Sequence, residues 1–196
     1  MTKSVLLIGC GAIGKEIIKK LAIEIDIHIS QIIVRPGTEE SVDVKISKDI
    51  EIISSISDVQ PVPDFVLECA SHGAVSEFGP YFLSQGIDFG IISIGALSDP
   101  DLMQQLEVAG KNGGSQLVVV PGAIGGIDSL SAARVENLET VIYTSRKPPL
   151  SWRGSPADEK FDLTKIDKAT IIFQGSARLA AQLYPKNANV AATIAI

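Results

Sequence analysis

The sequence predicts an α/β protein in which helices cover both faces of a parallel, doubly wound sheet, followed by a second, smaller α+β unit. The main observation is that strand-like and helix-like segments alternate five times, with short turns, over about the first 120 residues. The second observation is a glycine-rich turn that joins the first strand to the first helix. After residue 121 the alternation stops, which predicts a change of architecture.

The first elements follow from apolar runs and helical spacing. Residues 4–8 form a near-continuous apolar run that ends at glycine, as in a strand buried on both faces of a parallel sheet. Residues 15–23 carry isoleucine and leucine at helical spacing, with lysines on the opposite side, which predicts an amphipathic helix. A second strand is predicted over 29–34, where an Arg-Pro-Gly turn ends it. Residues 42–59 mix β-branched pairs with charged residues and receive no assignment.

The same alternation continues to residue 120. An apolar run predicts a strand over 64–70, and the residues that follow predict a helix over 74–85. The pattern repeats with a strand over 89–94 and a helix over 99–112, which two glycines end. A last apolar run predicts a strand over 116–120.

The composition bounds the class of protein. The 196 residues include 17 basic and 23 acidic ones, so the net charge is −6. This balance excludes an electrostatic footprint for nucleic acid or for an anionic membrane surface. Two cysteines cannot form a disulfide framework or a zinc site alone. No apolar run reaches the ~18 residues of a membrane span, so we expect a cytoplasmic protein.

The turn after the first strand matches the pattern G-x-G-x-x-G, as Gly9-Cys10-Gly11-Ala12-Ile13-Gly14. In this context Gly9 allows the tight turn, Gly11 lets the backbone approach a pyrophosphate, and Gly14 lets helix and strand pack closely. The N–H groups that open the helix, those of Ala12 and Ile13 included, then face the phosphates. The motif predicts a Rossmann-type domain that binds NAD or NADP. The alternative is a glycine turn kept for close packing alone.

The residues at the end of the second strand bear on which cofactor is bound. An acidic residue for the adenosine ribose is expected about 20 residues after the glycines, and Arg35 stands there instead. Arg35 is either a contact for a 2′-phosphate or a solvated loop arginine. Glu39 and Glu40 follow closely and offer an NAD-type contact, so the sequence leaves the choice between NAD and NADP open.

Ligands of open parallel sheets bind beyond the carboxyl ends of the strands, so the residues that follow each strand are candidate contacts. Small or glycine-rich segments stand there, at 68–73, 93–97 and 121–126. Ala70 and His72 are predicted cofactor contacts, because His72 alone of the two histidines falls at such a position.

The chain after Pro121 is predicted to form a smaller unit with fewer regular elements. Helices are predicted over 129–135 and 177–183. Strands are predicted over 140–145 and 169–173. We therefore expect a dinucleotide-binding domain over residues 1–123. Residues 124–196 are expected to form a substrate and dimerisation domain.

Six segments, in order along essentially the whole chain, form a combined pattern. They are the glycine turn, Glu68-Cys69-Ala70-x-His72, Ser93-x-Gly95-Ala96-Leu97, Pro121-Gly-Ala-Ile-Gly125, Tyr143-Thr144-Ser145-Arg146-Lys147-Pro148-Pro149 and Leu183-Tyr-Pro-Lys-Asn-Ala-Asn-Val-Ala-Ala-Thr193. Together they resemble the L-aspartate dehydrogenase family. The last three segments are far more specific than the glycine turn, which many dehydrogenases share.

The resemblance implies NAD(P)-dependent oxidative deamination of L-aspartate to iminoaspartate. Water then converts iminoaspartate to oxaloacetate and ammonia. Alternatively, iminoaspartate enters pyridine nucleotide biosynthesis. The resemblance also implies that Ala123 and Asn189 contact the cofactor. The family's catalytic histidine lies downstream of Val-Ala-Ala-Thr, so we expect it beyond Ile196. We therefore expect a C-terminally truncated chain without a catalytic residue of its own, which binds the cofactor but has little activity.

The cations of the second unit are candidates for holding the two carboxylates of the substrate. They are Arg146, Lys147, Arg153 and Lys186, and Lys186 is the first choice because it lies beside Asn189. A competing function is a non-catalytic NAD(P)-binding module that acts in binding or assembly. A homodimer is expected, since the apolar end of the chain should lack part of its packing and seek a partner.

Overall fold

The computed structural model describes residues 2–42, 49–122, 124–135, 137–184 and 189–195. The chain divides into two compact units, Met1–Val120 and Pro121–Ile196. The regular elements of the first unit are, in chain order, β1 Lys3–Ile8, α1 Ala12–Leu21, β2 Ile27–Ile33, β3 Glu51–Ile53, β4 Phe65–Glu68, α2 His72–Ser84, β5 Asp88–Ile91, α3 Pro100–Gly113 and β6 Leu117–Val119.

The six strands form one sheet in the order β3-β2-β1-β4-β5-β6, and every neighbouring pair is parallel. This confirms the predicted doubly wound fold. Because all strands run the same way, their carboxyl ends share one edge of the sheet. The order reverses between β1 and β4, and such a switch point leaves a crevice beyond the strand ends. The glycine turn follows β1 directly and therefore lies at this crevice.

The core of the first unit lies on both faces of the sheet. On one face Leu7 of β1 and Ile32 of β2 pack with Ile18 of α1 in a cluster of buried residues. On β5 and α2, the rings of Phe89 and Phe82 stack with their centroids 6.3 Å apart, and both side chains are buried. Burial on both faces explains why these strands are nearly continuous apolar runs.

The helices begin and end where local chemistry predicts. The Asp99 side chain caps α3 by accepting hydrogen bonds from the N–H groups of Asp101 and Leu102, and proline occupies the first helical position. Gly114, with a φ of 69°, ends the helix in the left-handed conformation. These signals explain why the prediction for this helix over 99–112 is accurate.

Three details of the first unit differ from the prediction. The first helix begins at Ala12 rather than at residue 15, because it starts immediately after the glycine turn. The unassigned stretch 42–59 contains β3, a three-residue strand that pairs with β2. The strand predicted over 89–94 ends at Ile91, and a 3₁₀ helix follows over Ile94–Ser98.

The described part of the second unit contains helices but no strand. The helices are α4 Ile127–Val135, α5 Ala157–Lys160, α6 Ala177–Leu183 and α7 Asn189–Ala195. A small core joins Ala157, Leu163 and Tyr184, with the Trp152 and Phe173 rings beside Tyr184. The prediction of helices over 129–135 and 177–183 is confirmed.

The two strands predicted in the second unit, over 140–145 and 169–173, are wrong for the described residues. Neither segment has a ladder partner there, and a strand exists only as part of a pair. Their apolar side chains face solvent instead: Ile142 is 87% exposed and Ile171 is 74% exposed. The β part of the predicted α+β unit is therefore absent from the described residues.

The apolar run at the end of the chain forms α7, which lies against α6 and buries Ala191 and Ala192. The expectation that this run lacks part of its packing stays a prediction. Among the described residues, no helix combines the length and the hydropathy needed to cross a bilayer.

Candidate dinucleotide-binding site

The turn after β1 requires glycine at its first position. Gly9 has a φ of 94°, in the region that side chains rarely adopt. A Cβ atom added to Gly9 would also lie 2.7 Å from the Cβ of Ala70, which follows β4. The Gly9 turn and the Ala70 loop therefore touch, and they form the floor of the crevice at the switch point.

Gly14 sets how closely α1 approaches this turn. A Cβ atom on Gly14 would lie 2.6 Å from the carbonyl oxygen of Gly9 and 3.2 Å from the Sγ of Cys69. No side chain fits there without moving backbone atoms. The geometry therefore gives Gly9 and Gly14 the turn and packing roles that the motif predicts.

Gly11 has a different environment. It is the N-cap of α1, and a Cβ atom added there would find no atom of the described residues within 4 Å apart from its own chain neighbours. The helix has no side-chain cap and no acidic residue in its first turn. The N–H groups that open α1, at Ala12 and Ile13, therefore lack a capping side chain. Open space beside helix N–H donors fits the diphosphate of a dinucleotide.

The loop after β4 forms the second wall of the crevice. The hydroxyl of Ser71 caps α2 by accepting a hydrogen bond from the N–H of Ala74, so His72 becomes the first residue of that helix. The His72 side chain is half-buried. Ala70 and His72, both predicted contacts, therefore stand at the same sheet edge as the glycine turn.

Cys69 lies beneath this wall. Its Sγ lies 3.3 Å from the Ile8 carbonyl oxygen and 3.2 Å from that of Gly9, and donates to both. Burial, with the nearby charge of Glu68, raises the pKa of the Cys69 thiol to about 12. Burial also raises the pKa of Cys10. Both thiols are therefore poor nucleophiles.

Glu68, the last residue of β4, is a residue whose importance the sequence interpretation missed. Its side chain is 0% exposed. Its Oε1 accepts hydrogen bonds from the Ala70 N–H (2.7 Å), the Ser71 N–H (2.8 Å) and the Ser93 hydroxyl (2.9 Å). Its Oε2 accepts one from the Ser93 N–H at 3.1 Å. The available signal was an acidic residue that ends an apolar strand and precedes the small residues Cys69, Ala70 and Ser71.

The end of β2 presents both signs of charge. Arg35 is exposed and begins a turn in which its carbonyl oxygen accepts hydrogen bonds from the N–H and hydroxyl of Thr38. Glu39 follows in a short 3₁₀ helix. Backbone N–H groups, its own first, together with the Ser54 hydroxyl, hold the pKa of Glu39 below its usual value. A cation and an ionised acid therefore both stand near this strand end.

The remaining site predictions fall in the second unit. Asn189 is exposed and is the first residue of α7. Ala123 and Lys186 lie outside the described residues. Arg146 and Arg153 are exposed, and the Lys147 ammonium lies 5.8 Å from the centre of the Trp152 ring.

The segment after β5 is not an open wall of the crevice. Ile94, Gly95, Ala96 and Leu97 are all buried in their 3₁₀ helix, which lies against α2 and α3. Ser93 is tied to Glu68, which ends β4, through its N–H and its hydroxyl.

Two family profiles match the chain. Residues 9–120 match the NAD-binding domain of homoserine dehydrogenase. Residues 128–196 match the C-terminal domain of aspartate dehydrogenase. The first match covers the glycine turn and the whole sheet after β1.

Similar whole proteins give the same result. L-aspartate dehydrogenase of Pseudomonas aeruginosa is 43% identical over 196 residues, which cover 98% of this chain and 73% of that protein. L-aspartate dehydrogenase of Ralstonia nicotianae is 42% identical over 195 residues, with the same coverage. The crystal structure of aspartate dehydrogenase from Thermotoga maritima superposes with a TM-score of 0.67 at 27% identity, and covers 99% of this chain and 73% of that one.

Proposed function

Because the chain belongs to the L-aspartate dehydrogenase family of NAD(P)-dependent oxidoreductases, we propose that its first unit binds NAD(P)⁺ for the oxidation of L-aspartate. One observation carries this proposal: the Gly9–Gly14 turn lies at the switch point of a parallel sheet, with open space at Gly11 beside uncapped helix N–H groups. The product is iminoaspartate, which hydrolyses to oxaloacetate and ammonia or serves pyridine nucleotide biosynthesis in the cytoplasm.

In this proposal, distinct loops hold distinct parts of the cofactor. The N–H groups of Ala12 and Ile13 hold the diphosphate, and Gly11 leaves room for it. Ala70 and His72 line the side of the crevice beyond β4. When bound, NAD(P)⁺ supplies the acceptor for the hydride that leaves Cα of the amino acid. By resemblance, Ala123 and Asn189 complete the cofactor contacts.

L-Aspartate requires cations for its two carboxylates. Arginine holds a carboxylate with two parallel hydrogen bonds, whereas lysine acts as a point charge. The second unit offers Arg146 and Arg153 as exposed arginines. Lys186 stays the first choice by its position beside Asn189 in the sequence.

We further propose that neither histidine of these 196 residues supplies the base of the reaction. Oxidation of an amine needs a base for the ammonium proton, and histidine is the usual base near neutral pH. The sequence holds His28 and His72. His28 lies near the amino end of β2, away from the crevice, and His72 opens α2 beside the cofactor loop, where a binding role suits it better than proton transfer. The family's catalytic histidine segment is the expected source of the base.

A second candidate function is a non-catalytic NAD(P)-binding module. The observation in its favour is that segments 140–145 and 169–173 carry exposed apolar side chains and no strand. Such a unit is better suited to assembly than to enclosing a substrate.

Thermal shift measurements separate the two functions. A ligand that binds only the folded state at 100 times its Kd adds about 2.7 kcal/mol to the unfolding free energy. We expect NAD⁺ or NADP⁺ to raise the Tm, and L-aspartate or oxaloacetate to raise it further in the presence of the cofactor. A cofactor shift without a substrate shift favours the module. The absence of any cofactor shift contradicts both functions.

We also propose a homodimer formed through the second unit. Val141, Ile142 and Tyr143 are consecutive, exposed and apolar, and such patches mark interaction surfaces. Sedimentation velocity is expected to show a dimer that Ile142→Asp converts to a monomer. A wild-type chain that stays monomeric at high concentration contradicts this proposal.

A further inference from the structure

Glu68 occupies an unusual place for an acidic side chain. Among the described residues, Glu68 and Gln31 are the two polar residues with fully buried side chains. Burying a carboxylate is unfavourable unless donors compensate for the lost water. Glu68 has four such donors, and three of them are backbone N–H groups.

The four hydrogen bonds join two separate loops. Ala70 and Ser71 follow β4, whereas Ser93 follows β5, the next strand of the sheet. Among the described residues, the backbone adds one hydrogen bond where β4 and β5 end, from the Ile92 N–H to the Glu68 carbonyl oxygen at 3.2 Å. The Glu68 side chain therefore fixes the distance between the two loops beyond the ends of their strands.

The loop after β4 is in turn in contact with the glycine turn. The Cys69 N–H donates to the Ile8 carbonyl oxygen at 2.9 Å, and Ala70 packs against Gly9. Ser71, whose N–H is held by Glu68, provides the cap that starts α2. A change at Glu68 is thus transmitted both to the loop after β4 and to the glycine turn.

We propose that Glu68 is a positioning residue of the dinucleotide site, which holds the loop of Ala70 and Ser71 at the spacing that the cofactor requires. The proposal rests on the proposed binding of NAD(P)⁺ by the first unit. Glu68 is buried beneath the loop and acts through the backbone that it holds.

Glu68→Gln is the appropriate perturbation because it keeps the size and shape of the side chain. The glutamine oxygen can still accept from Ala70, Ser71 and the Ser93 hydroxyl. Its NH₂ group then faces the Ser93 N–H, so two donors meet where a hydrogen bond existed. The loop of Ala70 and Ser71 then loses its fixed spacing from Ser93, so we expect NAD⁺ affinity to fall roughly tenfold or more.

Gln31→Glu provides a matched control in the same sheet. Gln31 lies in β2, and its Nε2 donates to Glu51 Oε2 at 2.8 Å and to the Gln60 carbonyl oxygen at 2.9 Å. This exchange also keeps the side-chain shape and breaks buried hydrogen bonds. None of those hydrogen bonds involves the loops that follow β4 and β5. We expect its NAD⁺ affinity to stay within about twofold of wild type, as for an independent site.

The experiment measures NAD⁺ dissociation constants by calorimetry well below the Tm of each variant, with amide hydrogen exchange in the unliganded chain. In Glu68→Gln we expect weaker NAD⁺ binding and faster exchange at Ala70, Ser71 and Ser93, but unchanged exchange in the centre of β1. Should Glu68→Gln fail to fold, Ser93→Ala decides, because it removes only the hydroxyl bond and should weaken binding about threefold.

The possible failures are distinguishable. If wild type binds NAD⁺ and a folded Glu68→Gln binds it equally well, the positioning role is overturned while the proposed function stands. An equal loss of affinity in Gln31→Glu also overturns it, because general destabilisation then explains the effect. If wild type binds neither NAD⁺ nor NADP⁺, both proposals fail.

Discussion

Replacing Gly11 and Gly14 one at a time by alanine should separate cofactor binding from stability. Both residues belong to the same six-residue turn, and both substitutions add a single methyl group. At Gly11 the methyl group enters open space, whereas at Gly14 it meets backbone and sulfur atoms. The two variants therefore serve as controls for each other.

For Gly11→Ala we expect a stable protein with weak cofactor binding. The φ of −75° at this position is accessible to alanine. Alanine is a poorer N-cap than glycine, which lowers the unfolding free energy by about 0.5–1 kcal/mol. The methyl group, however, projects into the space assigned to the diphosphate. Losing one or two hydrogen bonds to a phosphate, at about 1.5–3 kcal/mol each, should weaken NAD⁺ binding about 100-fold.

For Gly14→Ala the main effect should be on stability. The methyl carbon would lie 2.6 Å from the Gly9 carbonyl oxygen, well inside ordinary contact. Overpacking of this kind lowers the unfolding free energy by about 1–3 kcal/mol, and the better helix propensity of alanine offsets about 1 kcal/mol of that. A net loss of about 1 kcal/mol lowers the Tm by roughly 2–4 °C.

The assay combines thermal unfolding without ligand and NAD⁺ titration by calorimetry on both variants. Both variants are expected to lower the Tm by a few degrees at most, so NAD⁺ binding separates them: Gly11→Ala loses it about 100-fold, whereas Gly14→Ala keeps most of it. If Gly11→Ala binds NAD⁺ as tightly as wild type, the assignment of its open space to the diphosphate is refuted. If Gly14→Ala is as stable as wild type, the close contact is not a constraint on α1.

Three further predictions concern titratable groups. Since the pKa of Cys69 is raised to about 12, iodoacetamide at pH 8 should alkylate it at least ~100-fold more slowly in the folded chain than in urea, as followed by mass spectrometry. The Lys3 ammonium, with the Ser4 N–H, lowers the pKa of Asp64 to about 2. This stabilisation is present above the unfolded pKa and is lost as the pH falls from about 4 to 2. Tm measurements over that range should therefore show a smaller acid-induced loss in Asp64→Asn than in wild type. Arg35→Ala should weaken NADP⁺ binding about fivefold more than NAD⁺ binding, and Glu39→Gln the reverse, in paired titrations; equal effects on both cofactors contradict a role for this strand end in cofactor choice.

The sheet was predictable from sequence because its strands are buried on both faces. Continuous apolar runs such as residues 4–8 have few alternative interpretations when glycine and a helix follow. The strand Glu51–Ile53 was missed because three residues carry almost no periodicity, and its pairing with β2 creates it. The segment 140–145 was wrongly predicted for the converse reason, since its composition suits a strand but the described residues offer it no partner.

The candidate site was predictable from sequence only where its residues are close together along the chain and form a fixed pattern. The glycine turn has a fixed pattern, so its location followed directly from the sequence. The role of Glu68 depends on Ser93, 25 residues away, and on three backbone N–H groups that no sequence pattern displays. Hydrogen bonds between loops of neighbouring strands become visible only once the strand order is known.

Gly14 and Cys69 are far apart in the sequence, but their side-chain positions compete for the same space. A Cβ atom on residue 14 would lie 3.2 Å from the Cys69 sulfur, so a smaller side chain at position 69 relieves the part of the overlap that does not involve the Gly9 backbone. Substitutions at these positions should therefore be strongly non-additive, and the pair is a natural starting point for a double-mutant cycle. Where relatives carry a larger residue at position 14, we expect a smaller one at position 69, because the approach of helix to sheet depends on their combined size.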